Sequence, residues 1–251
     1  PLIANGFTVF CQAGGRKLRE LRFDENSQRN FARDLNKVAE HIADAGFTDI
    51  AFQAEPYQVI WCVTGGALYA LTYETDEDVF AWSRHDCGEV TSIATIPNGA
   101  NDRLWMVVKR GGKYYIEFLT RFYRREHALE DACFVDSSLE YEGPEIQTLS
   151  GLDHLEGETV SVFNEGSVGQ PQVVEGGSIT LQYPTTRCVV GLPYKASWQS
   201  LRFEGGSNDG VGQGKVKRLS SIIFRLEKTG AGLFYGKGTI DKQFSELNTH
   251  I

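Results

Sequence analysis

A repeated hairpin pattern between Phe47 and Arg121 constrains the fold of this chain more than any other feature. The first copy runs through Trp61 to a Gly65-Gly66 turn, and the second runs through Trp105 to a Gly111-Gly112 turn. Each copy has a β-branched and aromatic run, a Gly-Gly turn and a second alternating run, which together are typical of a β-hairpin. The two tryptophans are 44 residues apart, close to the length of one four-stranded propeller blade. The repeat therefore predicts that both occupy equivalent, largely buried positions on strands.

A fainter copy of the same pattern opens the chain, from Val9 through a Gly14-Gly15 turn to Phe23. In this alignment Cys11 and Cys62 fall at the same place beside the aromatic residue, as small buried residues in strands. The five cysteines are scattered singly, which argues against a disulfide framework and against a structural zinc site. They are interpreted as core residues.

The alternation of apolar and polar residues predicts the strands of two consecutive blades. The first blade is predicted at 47–53, 57–64, 67–74 and 79–85, and the second begins with 89–96, 103–110 and 113–120. One helix is predicted at about 27–45, between the first hairpin and these blades. Its apolar positions Phe31, Leu35, Val38 and Ile42 follow helical spacing, and Gly46 would end it as a left-handed cap.

The texture of the sequence changes near Asp131, where a second domain is predicted. The predicted organisation is a propeller-like domain at 1–131, a small β-barrel or sandwich at 132–204, and a glycine-rich connector with a returning strand at 205–251. Short strands are expected at 145–149, 158–164, 171–175, 178–183 and 186–192. The returning strand is placed at Leu219–Leu226. The fold class is therefore mainly β, with four-stranded blades, one inserted helix and a small second β domain.

Charge is distributed unevenly along the chain, whose formal net charge is -8. The segment from Arg103 to Arg125 is basic, whereas the segment from Glu126 to Thr186 has no Lys or Arg and holds 12 acidic residues. A segment of one sign this long indicates a surface that repels polyanions or one that meets a basic neighbour.

No motif in the sequence specifies an active site, a cofactor site or a metal site. The loop ending at Gly214-Lys215 departs from the phosphate-binding pattern at Asp209 and at Val216, so it is interpreted as a connector. His85-Asp86-Cys87 is interpreted as the end of a strand before a turn, because neighbouring strand residues point to opposite faces. Asp153-His154 lacks further ligands at a metal-binding spacing and is interpreted as a turn held by side chains. No apolar run reaches the 18 residues of a membrane span.

Several segments of the chain resemble, in the same order, the middle of podovirus-type tail nozzle (tail tubular B) proteins. The segments are Phe31–Leu35, Ala39–Ile42, Ile50–Tyr57, Ile60-Trp61, Leu71–Glu74, Val79–Asp86, Val90–Pro97, Leu104–Arg110, Tyr115–Glu117, Gly151–Val160 and Val190–Tyr194. The resemblance implies a virion structural protein built around a β-propeller, made in the host cytoplasm and located in the phage or prophage tail. It also implies a chain that corresponds to part of a longer protein.

The expected function is thus a non-enzymatic tail component without a cofactor. Its partners would be other copies of itself in a ring such as a hexamer, other tail proteins, and DNA that passes through without specific binding. Glu140, Glu142 and Glu145 are candidates for a lumen that repels DNA, and Arg121, Arg124 and Arg125 are candidates for a basic surface between subunits. Two alternatives are a propeller-type adaptor for protein partners and a cell-surface glycan hydrolase with paired carboxylates.

Overall fold

The structure is a computed structural model that describes residues 1–124, 126–198, 200, 221–226, 233–236 and 245–246. The chain divides into two compact units, Pro1–Ala196 and Ser197–Ile251. Strands dominate the described residues, and the helical segments among them are three short 3-10 turns. The protein is therefore mainly β, as the sequence predicts.

Three antiparallel sheets follow one another along the first 118 residues. Sheet 1 contains β1 (Leu2–Ala4), β2 (Phe7–Cys11), β3 (Leu18–Asp24) and β4 (Arg29–Asp34) in that order. Sheet 2 contains β5 (Phe47–Gln53), β6 (Val59–Thr64), β7 (Ala67–Glu74) and β8 (Val79–His85) in that order. Sheet 3 contains β9 (Glu89–Asn98), β10 (Asn101–Arg110) and β11 (Lys113–Phe118) in that order.

Two of the three Gly-Gly pairs form the tight hairpin turns that the repeat predicts, whereas Gly14-Gly15 lie in a longer loop between Cys11 and Leu18. Gly65 and Gly66 have φ of 57° and 79°, and Gly111 and Gly112 have φ of 54° and 78°. Two consecutive positive φ angles define a two-residue turn whose twist matches that of the flanking strands, and glycine adopts them without steric cost. The predicted bounds of β5, β7 and β8 are confirmed residue for residue.

The helix predicted at about 27–45 is wrong. Arg29–Asp34 instead form β4, whose residues pair with β3 from Asp24↔Arg29 to Arg19↔Asp34. The four apolar positions that suggested a helix do not share one buried face. Phe31 and Val38 are exposed at 48% and 90%, while Leu35 and Ile42 are buried. Residues 29–34 pair with the edge of β3 instead, because a short helix is marginal without an apolar face that is buried along its length. Only the 3-10 turn Glu40–Ala43 remains, and Gly46 follows it with φ of 79°.

Sheet 2 lies between sheets 1 and 3, and its central strand β6 is buried along its whole length. Ile60 and Cys62 pack in a core shared with Val9 and Leu18 of sheet 1. On the other face, Trp61 packs in a core shared with residues of sheet 3. Burial of both faces explains why β6 reads as a continuous apolar run, VIWCVT. The three sheets do not close into a ring within the described part of the chain.

A fourth sheet follows with a core of its own. It contains β12 (Asp136–Ser150), β13 (Thr159–Asn164), β14 (Ser167–Val168), β15 (Gln172–Val173) and β16 (Ser178–Leu192), and β12 pairs with β16. The prediction of two separate strands at 178–183 and 186–192 is wrong, because β16 is continuous over both ranges. The residues between them lie where the pairing of β16 with β12 changes register. The sheet does not close into a barrel.

The domain boundary predicted near Asp131 falls inside the first compact unit. It precedes the fourth sheet, which has its own core. The boundary stays a prediction. In the second unit, β17 (Phe234–Tyr235) pairs with β18 (Ser245–Glu246). The strand predicted at Leu219–Leu226 is absent over its described part, since 221–226 belong to no strand. The glycine-rich connector that ends at Gly214-Lys215 lies outside the described residues.

Candidate functional site

Two carboxylates, one from sheet 2 and one from sheet 3, hold these two sheets together. Asp49 of β5 accepts hydrogen bonds from the Ser92 hydroxyl at 2.8 Å and from the Ile93 backbone N–H at 2.9 Å. Asp102 of β10 accepts from the backbone N–H groups of Ala54 and Glu55 at 2.8 and 3.1 Å. Carboxylates that accept backbone N–H groups form stronger hydrogen bonds than neutral acceptors do.

The buried Trp61 lies inside the same interface. Its indole Nε1 donates to the side-chain oxygen of Gln53 at 2.9 Å, and Gln53 Nε2 donates to the backbone oxygen of Asp102 at 2.8 Å. The Thr95 hydroxyl donates to the Phe52 backbone oxygen at 2.8 Å. These polar groups between the two sheets are therefore hydrogen-bonded, as buried polar groups in folded proteins usually are.

The repeat places Trp61 and Trp105 on corresponding faces. Trp61 stands in a row with Ala51 and Ala70, its cross-strand partners, and Trp105 stands in a row with Ala94 and Phe118. Trp61 faces sheet 3, the next sheet along the chain, and Trp105 lies on the face of sheet 3 that points away from sheet 2. The two positions are equivalent, but Trp61 is fully buried whereas Trp105 is partly exposed.

The face of sheet 3 that carries Trp105 is an uncovered apolar surface, here called the distal face. Phe118 packs on Trp105 with 5.1 Å between ring centroids, and Arg103 stacks on Phe118 at 4.2 Å. Exposed apolar side chains surround them, with Ile116 exposed at 76% and Tyr114 at 64%. Contiguous apolar surface of this kind marks interaction sites in soluble proteins.

The opposite end of the stack carries a second such surface, the proximal face of sheet 1. Ile3, Thr8, Leu21 and Ala32 form one row across all four strands, and all four are exposed. Phe23 extends the apolar surface along β3. The other face of the same strands is buried against sheet 2, so sheet 1 carries apolar side chains on both faces. In a sheet with one face exposed to water, apolar and polar residues usually alternate along each strand.

Sheet 3 is also open along one edge. Sheets 1 and 2 each have a fourth strand, whereas β11 ends sheet 3 and pairs only with β10 among the described residues. An unpaired strand edge presents free backbone N–H and C=O groups to partners.

Arg110 joins sheet 3 to the start of the fourth sheet. Its guanidinium donates to the backbone oxygen of Cys87 at 2.8 Å, to the carboxylate of Glu117 at 2.8 Å and to that of Asp136 at 2.9 Å. Burial alone lowers the pKa of Arg110, but the hydrogen bonds to Glu117 and Asp136 outweigh it and raise that pKa. In the sequence Arg110 was only one member of a basic segment.

The acids proposed for a lumen lie on β12 and are exposed. Glu140 and Glu142 share one face of the strand, while Glu145 lies where the pairing between β12 and β16 shifts register. Arg187, the first basic residue after the acidic segment, is the cross-strand partner of Glu142. The three acids are therefore accessible, and their role in a lumen stays a prediction.

The basic residues proposed for a subunit interface make contacts within the chain. Arg121 pairs with Asp131 at 2.9 Å. Arg124 donates to the Tyr57 hydroxyl at 2.9 Å and lies 3.6 Å from the Glu126 carboxylate. Arg125 lies outside the described residues. Arg121 and Arg124 keep exposed side chains, and their contact with a neighbouring subunit stays a prediction.

His85 and Cys87 do not form an activated nucleophile. Burial raises the pKa of the Cys87 thiol to about 12, which keeps it protonated at neutral pH. His85 ends β8, packs edge-on against Trp61 at 5.1 Å, and has its pKa lowered by burial. Gly88 follows in a turn with φ of 87°, as the interpretation of a strand end predicts.

The segment around Asp153 and His154 is a structural turn. His154 lies 3.2 Å from the backbone oxygen of Ser137. Glu156 accepts from the backbone N–H groups of Gly177 and Gly176 at 2.7 and 2.9 Å, and these bonds lower the pKa of Glu156. Sequence reasoning singled out the wrong acid, because the anchoring carboxylate is Glu156, three residues further on.

The proposed equivalence of Cys11 and Cys62 is wrong. Both contribute to the core between sheets 1 and 2, but from opposite sides of it. The first hairpin closes at the pair Cys11↔Leu18 and the second at Thr64↔Ala67. Aligning the two hairpins on their glycines therefore matches residues that lie on opposite faces. All five cysteines are free thiols.

One buried polar contact between sheets 1 and 2 is incomplete. Glu20 is fully buried and forms an ion pair with Arg22, yet its second carboxylate oxygen has no hydrogen-bond partner. The Tyr73 hydroxyl is also buried without a partner. Burial, and then the nearby Glu20 carboxylate, raise the pKa of Tyr73. Neither group lines either of the two grooves described next.

Among the grooves on the described residues are two open ones, with volumes of about 560 and 420 Å³. Each has one carboxylate in its lining, Asp49 in the first and Asp34 in the second. Across the described residues, no group of three or more His, Cys, Asp or Glu side chains is arranged to hold a metal ion. That part of the chain also contains no helix long and apolar enough to cross a bilayer.

Comparison with known proteins finds no matching family model and no matching curated protein. The distal face and the proximal face are two surfaces of the described residues that expose several large apolar side chains. A sequence signal for them exists, since both faces of β3 and of β10 carry apolar residues.

Proposed function

We propose that this chain is a non-enzymatic structural protein of a phage or prophage tail, of the nozzle or tail tubular type. In this proposal, copies of the chain assemble into a ring that conducts DNA without binding it specifically. The chain is made in the host cytoplasm and located in the virion, and it contacts other tail proteins. It uses no cofactor.

The observation that carries the proposal is the stack of three similar sheets with an uncovered apolar face at each end. Sheets that follow one another in chain order and pack face to face are typical of a propeller-like segment. A stack that stops with apolar faces exposed needs a partner on each of them, because exposed apolar area is costly in water. This supports a protein that works as part of an assembly.

The acidic segment fits the passage of DNA. Lys and Arg that neutralise phosphates increase affinity for DNA, so a conduit needs few of them along its wall. Glu140, Glu142 and Glu145 are exposed on β12, in a segment that has no basic residue before Arg187. Their repulsion reaches across a narrow channel, since the screening length is about 8 Å at physiological ionic strength.

The two alternatives receive less support. A self-contained adaptor requires a propeller closed within one chain, and the sheets of the described residues do not close. A glycan hydrolase requires two carboxylates about 5–10 Å apart in one cleft. Each of the two grooves offers a single carboxylate.

The location of the protein tests the proposal. Particles released from the host should contain the chain, and gold-labelled antibodies against it should mark the tail in electron micrographs. An antibody against the capsid provides the positional control. Particles that lack the chain, or label confined to the host cell, would refute a role as a tail protein.

A further inference from the structure

We infer that the distal face of sheet 3 packs on the proximal face of sheet 1 in a second copy of the chain, so that copies join head to tail. This inference rests on the self-assembly part of the proposed function and names the surfaces that carry it. The partner is a second copy, and the contact is one β-sheet face on another.

The chain already makes this kind of contact twice. The face of sheet 1 that carries Val9 and Leu18 packs on sheet 2, and the face of sheet 2 that carries Trp61 packs on sheet 3. In each case a sheet covers the next one along the chain. After both contacts are made, one face of each kind is left over: the distal face of sheet 3 and the proximal face of sheet 1. A second copy supplies the missing counterpart of each.

The side chains of the two faces suit such a contact. Trp61 is buried against aliphatic side chains of sheet 3, including Ile93, Leu104 and Met106. Its equivalent Trp105 would meet a surface of similar chemistry on sheet 1, where Ile3 is exposed at 73% and Leu21 at 39%. Interdigitation of such side chains is the usual packing of two sheet faces.

Charge favours unlike faces over like faces. The distal face carries Arg103, which stacks on Phe118 and has no carboxylate partner among the described residues. At the proximal face, Asp34 lies 3.0 Å from Lys17 and 3.9 Å from Arg19, and Lys17 also pairs with Glu40, so these four charges balance. Two distal faces packed together would bring their unbalanced arginines into one interface, which opposes association. A distal face on a proximal face avoids this repulsion.

Because the two faces differ, the contact is heterologous. Such contacts repeat from copy to copy and close into a ring if the rotation per copy permits, or continue as a filament if it does not. In both cases each copy uses both faces. A variant with one face blocked can still bind through its other face, and this property makes the inference testable.

The test uses the whole chain with one charge placed on each face, in Ile116→Lys on the distal face and Ile3→Glu on the proximal face. Both side chains are already exposed, so neither change disturbs the fold of a single copy. The controls are Val168→Lys and Val38→Glu, at positions exposed at 82% and 90% on other surfaces. Circular dichroism and urea unfolding verify that all four variants fold like the wild type.

Sedimentation velocity then measures the size of each species. The wild type and both controls should form oligomers, and each face variant alone should be monomeric, with a dissociation constant raised by at least about tenfold. An equal mixture of the two face variants should form dimers, because each retains the face that the other has lost. Dimers in the mixture are the result specific to head-to-tail contact.

Three results would overturn the inference, and they have different consequences. If the wild type oligomerises and both face variants do so equally well, the contact lies elsewhere, and the proposed ring stands without these faces. If Ile116→Lys alone prevents association, the contact joins two distal faces and is not head to tail. A wild type that stays monomeric at high concentration would refute both the inference and self-assembly of the isolated chain.

Discussion

Trp61 and Trp105 occupy equivalent positions in consecutive sheets, yet only Trp61 is covered. Trp61 is fully buried between sheets 2 and 3, and its indole N–H is paired with Gln53. Trp105 lies on the distal face and is partly exposed. The sequence repeat predicts burial for both, and the described residues leave Trp105 partly exposed.

Replacing Trp61 by Ala should destabilise the chain by about 3–5 kcal/mol, because it leaves a cavity in a packed core. Trp105→Ala should cost at least about 1 kcal/mol less in a monomeric sample, since less apolar area is removed from contact. Urea unfolding of both variants measures the difference. Equal costs would mean that Trp105 is as well covered as Trp61.

Asp102→Asn should weaken the contact between sheets 2 and 3 by about 1 kcal/mol, because the amide oxygen can still accept both N–H groups but carries no charge. Hydrogen exchange should speed up at the amides of Ala54 and Glu55, the groups that Asp102 binds. Asp76→Asn in the exposed β7–β8 turn is the control. Unchanged exchange at both amides would contradict the role assigned to Asp102.

Glu156 should contribute to stability in a pH-dependent way. Its pKa in the folded protein lies below the ordinary value of 4.5, because it accepts the N–H groups of Gly177 and Gly176. The contribution is therefore present above pH 4.5 and is lost as the pH falls through the lower folded-state pKa. Glu156→Gln should lower stability near neutral pH, and its difference from the wild type should shrink in acid.

Unfolding curves collected across this pH range measure the effect. Glu158→Gln, on the same loop, provides a matched control that should follow the wild type. A Glu156→Gln variant whose difference from the wild type stays constant with pH would show that the carboxylate charge is not involved.

Reversing the charge of Glu140, Glu142 and Glu145 to Lys should slow DNA ejection from assembled particles, because lysines on a channel wall bind phosphates. The slowing should diminish as salt is added. A matched control reverses three exposed acids elsewhere: Glu25, Asp76 and Glu77. Normal ejection by particles that assemble with the triple variant would leave these acids as ordinary surface.

Local patterns predicted most of the first three sheets. Alternation of side chains and the Gly-Gly turns located β5, β7 and β8, because hairpins are determined by residues close in the sequence. The helix at 27–45 was predicted incorrectly because apolar spacing was read without knowledge of the free edge of β3, which β4 occupies. Sequence spacing contains no information about which strand edge is available.

The contacts that join the sheets could not be predicted. Asp49 binds Ser92 and Ile93, and Asp102 binds Ala54 and Glu55, partners that are more than 40 residues away. All four of these hydrogen-bond partners are backbone N–H groups or a small hydroxyl group, which leave no pattern in the sequence. The exposure of the distal and proximal faces also depends on what covers them, and only the folded arrangement reveals that.

The most direct test of head-to-tail assembly is electron cryomicroscopy of the particle that the purified chain forms. The expected result is a closed ring in which Trp105 of each copy is buried against the row of Ile3 and Leu21 in the next copy. Rings whose copies meet through other surfaces, with Trp105 still exposed, would contradict it.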